Sequence, residues 1–429
     1  MSDLLKDYSP EALARFEREA AERYEAYKAK GLSLNMARGK PSPEQLDLSD
    51  PLFNVTREET GVKAADGTDC RNYGVPFGLE ETRSLFGEIM GVKKENVIVC
   101  GCSSLNIMYD EIARCMNFGT LGCAPWATLD TVKWLCPVPG YDRHFAITEQ
   151  FGIEMINIAM DDNGPCMDQV EELVANDPAI KGIWCVPTYS NPGGVEYSDE
   201  VVRRLARMTC AAPDFRIFWD NAYCVHHLDP DPAHHAHVLD IGAACREAGH
   251  PDRYLKFAST SKITFPGAGV AALAASPANI AEIARMMNVQ TIGHDKFNQL
   301  RHVRFLKDAD GIAAHMAKHA AIIRPKFDLV EERLSEGLAD VDCHWSTPRG
   351  GYFVCFYGPA GTAKRIVELA KEAGVTMTGA GAPFPYHKDP DDSVIRIAPT
   401  LPPIEELDLA LDVFVCCVKL ASVEALLND

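Results

Sequence analysis

The chain has 429 residues, 47% of them hydrophobic and 24% charged, the composition of an ordinary globular protein long enough for two domains. Lys and Arg total 42 against 61 Asp and Glu, and the formal net charge of -19 sets up a field that repels nucleic-acid backbones and anionic membranes. The first residues lack a basic and then apolar secretory pattern, and no run approaches ~18 consecutive apolar residues, so the expectation is a cytoplasmic chain with neither nucleic acid nor membrane as partner.

Residues 10 to 30 carry helix formers with apolar positions at helical spacing, and Gly31 ends this predicted amphipathic helix. A looped passage, 34–41, follows, punctuated by Gly39 and Pro41. From about residue 80, short apolar runs at 96–100, 134–138, 154–158, 182–186, 216–219, 254–258 and 270–274 alternate with helix-length intervals. That rhythm predicts βαβ units and a mainly parallel sheet covered by helices, with ligands in the loops at the carboxyl ends of its strands. Residues 279–338 read as helical with breaks near Gly293 and Pro325. The remainder returns to an α+β pattern, with strands at 351–356 and 394–397 and helices at 362–373 and 403–427. The predicted organisation is α/β in three parts: an N-terminal helix and arm over 1–50 packing with the small domain, a large domain over 51–310, and a small α+β domain over 311–429.

Lys262 stands in Ser259-Thr260-Ser261-Lys262-Ile263-Thr264-Phe265-Pro266-Gly267, after an apolar segment that ends at Asp220 in Trp219-Asp220-Asn221-Ala222-Tyr223. A lysine amine forms a Schiff base only when unprotonated, so burial or nearby positive charge suits it, and small hydroxyl residues hold a phosphate without adding bulk. A carboxylate facing a pyridine nitrogen keeps that ring an electron sink. Lysine, hydroxyls and aspartate together are what pyridoxal-phosphate chemistry requires. The 15 cysteines form no compact framework and read as reduced thiols; Cys100 with Cys102 and Cys416 with Cys417 lack the spacing of a metal knuckle. His226, His227, His234, His235 and His237 are interrupted by Pro230 and Pro232, which favours a polar loop over a metal site.

On these residues the chain resembles the fold type I pyridoxal-phosphate-dependent aminotransferases of the aspartate aminotransferase superfamily, in particular a bacterial subgroup related to MocR-type proteins. The resemblance runs through nearly the whole chain. It implies pyridoxal 5'-phosphate as cofactor and a homodimer with shared sites, in which Tyr73, from Tyr73-Gly74-Val75-Pro76-Phe77-Gly78, reaches the neighbour's phosphate. Cys102, Ser103 and Ser104 then form a phosphate loop at a helix start, where free N–H groups favour an anion. Tyr141 stacks on the pyridine face. Asn191, from Asn191-Pro192-Gly193-Gly194, and Tyr223 share the phenolic oxygen, Asp220 faces the ring nitrogen, and Ser259 and Ser261 add hydroxyls, as Thr264 could. Arg396, in Val394-Ile395-Arg396-Ile397, binds the substrate α-carboxylate, with Gly39 and Asn191 beside the substrate.

The expected reaction is ping-pong transamination between amino acids and 2-oxo acids, aspartate with 2-oxoglutarate foremost, with Lys262 as both cofactor anchor and general base. Alanine or aromatic donors, a β-lyase on the same fold and a cofactor-sensing regulator are the alternatives. A distal carboxylate needs a second cation, with Arg38, Lys40, Arg143, Lys296 and Arg301 as candidates. The chain departs from many relatives at Val270, eight residues after Lys262, where they place a phosphate-binding arginine; Lys296 or Arg301 of a partner subunit is the expected substitute.

Overall fold

The computed structural model describes residues 4–56 and 61–428. Among them, the largest sheet has eight strands in the order Val97–Val99, Ala271–Ala275, Tyr254–Ser259, Arg216–Asp220, Ile180–Cys185, Lys133–Val138, Glu154–Asp161 and Gly164–Pro165. The five from Tyr254–Ser259 to Glu154–Asp161 are parallel to one another. Tyr254–Ser259, Arg216–Asp220 and Ile180–Cys185 are almost wholly buried, as expected for strands covered on both faces, while Glu154–Asp161 nearer the edge is only partly so.

Ala271–Ala275 runs antiparallel to both of its neighbours. The cause is its connection: only residues 260–270 separate it from Tyr254–Ser259, fewer than a parallel crossover needs. This tight return carries Lys262. The second reversal, into Val97–Val99, brings that strand back into line with the parallel set, so its carboxyl end opens on the same edge of the sheet.

A smaller antiparallel sheet joins His344–Trp345, Val354–Tyr357 and Val394–Ile397. Helices Ala309–Gly337, Ala363–Glu372 and Ile404–Asn428 pack together and against it through one shared apolar cluster. Helix Pro10–Lys28 starts with Pro10 behind the Ser9 cap and buries Leu13, Tyr24 and Tyr27. It packs along Ile404–Asn428, and the following strand, Leu34–Asn35, pairs with Val375–Thr376. The N-terminal arm thereby joins the smaller sheet's layer.

Two expectations need correction. The helix does not break at Pro325, because Ala309–Gly337 runs through it. Proline forfeits one backbone hydrogen bond there, yet Ile323, Phe327 and Val330 on either side are all buried, and Lys326 donates to the carbonyls of Thr400 and Pro402 at 2.9 and 2.7 Å. The strand expected from Gly351 begins only at Val354. Gly350 and Gly351 instead lie against Tyr189, where a β-carbon on Gly350 would come within 2.1 Å of the ring, and Gly351 adopts φ +83°.

Candidate active site

The carboxyl edge of the large sheet gathers the candidate residues. Asp220 ends its strand and is 2% exposed, in a position where a bare carboxylate would be costly. Its Oδ2 lies 3.1 Å from Nε2 of the buried His144, whose ring stacks on Trp184 at 4.5 Å. Its Oδ1 is buried with no hydrogen-bond partner among the described residues. A carboxylate oriented by one oxygen and open at the other is suited to a protonated ring nitrogen.

Lys262 extends from the 260–270 return, and its Nζ lies 4.8 Å from the centre of the Tyr223 ring. Part of this residue reaches solvent, but the protein packed around it still pushes the amine pKa below the ordinary lysine value, against the pull of Asp220. More of the amine is therefore neutral, the form that attacks a carbonyl. Burial pushes the Tyr223 phenol well up, so it remains a hydrogen-bond donor. Tyr141 caps the start of helix Asp142–Gln150 and meets the edge of His144 at 4.9 Å; burial raises its phenol to about 12.

Helix Ser104–Phe118 begins at the expected phosphate loop, and the Ser103 side chain makes no capping hydrogen bond. The lysine return meets this loop directly. Ser261 Oγ donates to the carbonyl of Cys102 at 3.4 Å and lies 3.1 Å from Ser259 Oγ. A β-carbon on Gly269 would sit 3.1 Å from the same Cys102 carbonyl, which keeps that approach narrow. Hydroxyls, a helix start and small residues thus converge on one cradle of a kind that takes a phosphate. Thr264 stands outside it, since its hydroxyl is engaged with Thr260 and with His302 Nε2 at 2.8 Å.

Arg396 comes from the smaller sheet and crosses to the large one. Its Nη1 donates to Asp142 Oδ1 at 2.8 Å and to Asn191 Oδ1 at 3.3 Å, its Nη2 reaches Thr378 Oγ1 at 3.5 Å, and its buried Nε has no partner among the described residues. The guanidinium lies 4.9 Å above the Phe353 ring. Gly39 approaches the same ring so closely that a β-carbon would come within 2.3 Å of it. A guanidinium held on one side and under-satisfied on the other matches an incoming carboxylate.

Several expected residues are not drawn together. Tyr73 is 82% exposed. Arg38 is exposed, and its guanidinium has no hydrogen bond or ion pair among the described residues. Val270 is buried in an apolar cluster with Phe86, Met90 and Val99. Lys296 Nζ donates to the carbonyl of Gly74 at 3.0 Å, and Arg301 donates to Asn298 at 2.8 Å. The histidine-rich loop is internally engaged: His227 stacks on His235 at 3.7 Å, and His234 pairs with Asp229 at 3.1 Å. Sequence reasoning passed over His144, Asp142, Thr378 and Phe353. Asp142 and His144 fall in the first turn of a helix just after Tyr141, and that adjacency was the one signal available for them.

The sequence profile of the aspartate amino-transferase family matches residues 8–429. The chain belongs to this family. An aspartate aminotransferase of Corynebacterium glutamicum is 46% identical over 426 residues, covering 99% of this chain and 98% of that protein. A solved structure of an aspartate transaminase from the same organism superposes with a TM-score of 0.95 at 45% identity, covering 99% of this chain and all of the other. The α-aminoadipate aminotransferase LysN of Thermus thermophilus, solved with N-(5'-phosphopyridoxyl)-L-leucine, superposes at 0.73 with 20% identity over 95% of this chain and 98% of its own, a likeness of fold alone. Membership makes the protein an aminotransferase with the fold type I architecture. Among the described residues, no helix is long and apolar enough to cross a membrane.

Proposed function

We propose that the protein is a pyridoxal-phosphate-dependent aminotransferase that exchanges the amino group of aspartate with 2-oxoglutarate. The observation that carries the cofactor assignment is the unpartnered Oδ1 of Asp220, within a site that also holds a lysine of lowered pKa and a cradle of hydroxyls at a helix start. When bound, the cofactor supplies an electron sink for the charge that develops at the substrate Cα. Ser103, Ser104, Ser259 and Ser261, with the backbone of Cys102, would hold its phosphate, Asn191 and Tyr223 its phenolic oxygen, and Tyr141 one ring face.

His144 holds Asp220 by Oδ2, which would leave Oδ1 free to keep the cofactor's ring nitrogen protonated. Lys262, as a neutral amine, would take the proton from the substrate Cα and deliver it to the C4' carbon of the cofactor. Arg396 grips the α-carboxylate and so fixes which Cα bond faces Lys262; Asn191 and Asp142 hold the guanidinium in place meanwhile.

Aspartate is favoured by the 46% identical relative of that name; for the distal carboxylate we propose Arg38, which immediately precedes Gly39 and has no ion pair among the described residues. A panel of amino donors with 2-oxoglutarate tests this. A charged hydrogen bond to the distal carboxylate contributes about 1.5–3 kcal/mol, so aspartate should exceed alanine by roughly 10- to 150-fold in kcat/KM. Arg396→Ala should lower all donors alike, whereas Arg38→Ala should penalise aspartate and glutamate and spare alanine. Equal efficiency with alanine and aspartate would remove the aspartate assignment while leaving the cofactor chemistry in place.

We propose further that the working unit is a homodimer in which Tyr73 completes the neighbour's phosphate cradle, a reading supported by the exposure of its ring in the single chain. Tyr73→Phe and Lys262→Ala proteins, each impaired, should regain part of the parental activity on mixing, because one site of each mixed dimer receives both native groups. Subunit exchange verified by mass spectrometry without recovered activity would place Tyr73 within its own chain's function.

A further inference from the structure

Against the backbone of Lys262 and Ile263 lies a buried polar network in which three helices or loops distant in sequence meet the lysine return. The carbonyl of Lys262 lies 3.3 Å from His226 Nε2 and 3.5 Å from the hydroxyl of Tyr352. The next carbonyl, that of Ile263, lies 2.8 Å from His315 Nε2. His319 Nε2 adjoins His315 Nε2 at 3.1 Å. Gln45 closes the network: its Nε2 is 3.0 Å from both His319 Nδ1 and the Tyr352 hydroxyl, and its Oε1 accepts from the backbone N–H of Ser42 at 3.0 Å.

The direction of these bonds follows from their partners. A carbonyl only accepts, so His226 and His315 each carry a proton on Nε2; His319 Nδ1 accepts from the Gln45 amide, which puts its own proton on Nε2 as well, and His319 therefore supports His315 by an edge-to-face ring contact, centroids 4.8 Å apart, rather than by a hydrogen bond. The Ser42 N–H fixes which end of that amide is oxygen. Tyr352 therefore accepts from Gln45 and donates to Lys262. Gln45 is fully buried, and His226, His319 and Tyr352 are 1–2% exposed, so water does not substitute for any member that is lost. Burial holds His226 at about 3 and His319 at about 4, which keeps both rings neutral near pH 7.

The same residues brace the aromatic ring beside the amine. Tyr223, which lies under Lys262 Nζ, meets the His226 ring at 5.6 Å and the Tyr352 ring at 6.0 Å. At its other end the network enters the arm that runs past Gly39. That arm is fastened to the smaller sheet's layer, with Thr378 Oγ1 donating to the carbonyl of Ala37 at 2.7 Å and Thr400 Oγ1 to that of Lys40 at 3.0 Å.

We propose that Gln45 is a positioning residue, tying the substrate-side arm to the lysine return through the Tyr352 hydroxyl at the Lys262 carbonyl and through the packing of His319 on His315 at the Ile263 carbonyl, so that the amine is aimed only when the arm is seated. This rests on the assignment of Lys262 as the reacting lysine. Replacing Gln45 removes the donor that orients the Tyr352 hydroxyl toward the Lys262 carbonyl and leaves His319 Nδ1 without its donor, which loosens the support behind both carbonyls, whereas the carboxylate grip of Arg396 is untouched. Rate should suffer and binding should not.

The test compares Gln45→Leu and Tyr352→Phe with the parent in two ways. Steady-state kinetics with the preferred donor should show kcat lowered by at least ~10-fold with KM within about threefold, since small misplacement of a reacting group is costly in rate. Hydrogen–deuterium exchange on the cofactor-free protein should quicken over residues 260–265 and remain unchanged over 271–275. Tyr352→Phe removes a single oxygen and decides the matter if Gln45→Leu does not fold. In either variant, kcat within about twofold of the parent together with unchanged exchange at 260–265 would overturn the proposal. The exchange measurement stands apart from catalysis: retained activity in Lys262→Ala would end the lysine assignment, while quickened exchange would still report the tie to the backbone.

Discussion

Lys262→Ala should abolish transamination while leaving the chain folded. The amine is the group beside Asp220 and Tyr223 that can both anchor a carbonyl cofactor and carry the Cα proton. Loss of a general base alone lowers rate by ~10² to 10⁴, and loss of the covalent anchor adds to this, so the combined loss should exceed ~10⁴ in kcat. Folding should be little affected, because removing the amine relieves the burial that depresses its pKa, and the return is held by its backbone rather than by this side chain. Circular dichroism and thermal unfolding establish the folded state, and single-turnover rates establish the loss. Residual activity within about tenfold of the parent would assign the chemistry to another group.

Asp220→Ala should be the second most damaging change. It removes the buried carboxylate oxygen that is left free to face a ring nitrogen, and it strands His144 Nε2 in a site 1% exposed. Removing one preorganised electrostatic partner of a developing charge costs on the order of 10² to 10³ in kcat, and here the partner must also hold the ring protonated, so at least this loss is expected. Cofactor binding should persist through the phosphate cradle. Reconstitution with an N-methylated cofactor, which carries its positive charge permanently, should restore part of the rate. Intact binding with no restoration would show that Asp220 acts through something other than the ring nitrogen.

Legibility in the sequence divided along a physical line. Lys262 and Asp220 stood out as candidates from their own segments, hydroxyls around a lysine and an apolar run ending in aspartate, whereas Asn191 and Arg396 became candidates only through the resemblance of their segments to the family's pattern. The parallel sheet was legible for a similar reason, since fully buried strands read as apolar runs. His144, Asp142, Phe353 and the Gln45–His319–Tyr352 network were not legible. Their roles arise from contacts between segments up to some hundreds of residues apart, and nothing in their immediate neighbours marks them. The reversal of Ala271–Ala275 was in principle accessible, because the short connection from Tyr254–Ser259 leaves no room for a crossover. Pro325 misled for the converse reason: a local breaker was outweighed by burial on both of its sides.

The short return between Tyr254–Ser259 and Ala271–Ala275 also bears on how tightly the cofactor is held. Both ends of residues 260–270 are clamped into adjacent rungs of one ladder, from Ser259 opposite Ala271 inward, and its middle is bonded through Lys262 and Ile263 to groups that do not leave the interior. The conformational freedom of this segment is surrendered when the chain folds, not when a ligand arrives. Docking of a small molecule at Lys262 therefore carries little ordering entropy of its own, and more of the contact energy appears as affinity.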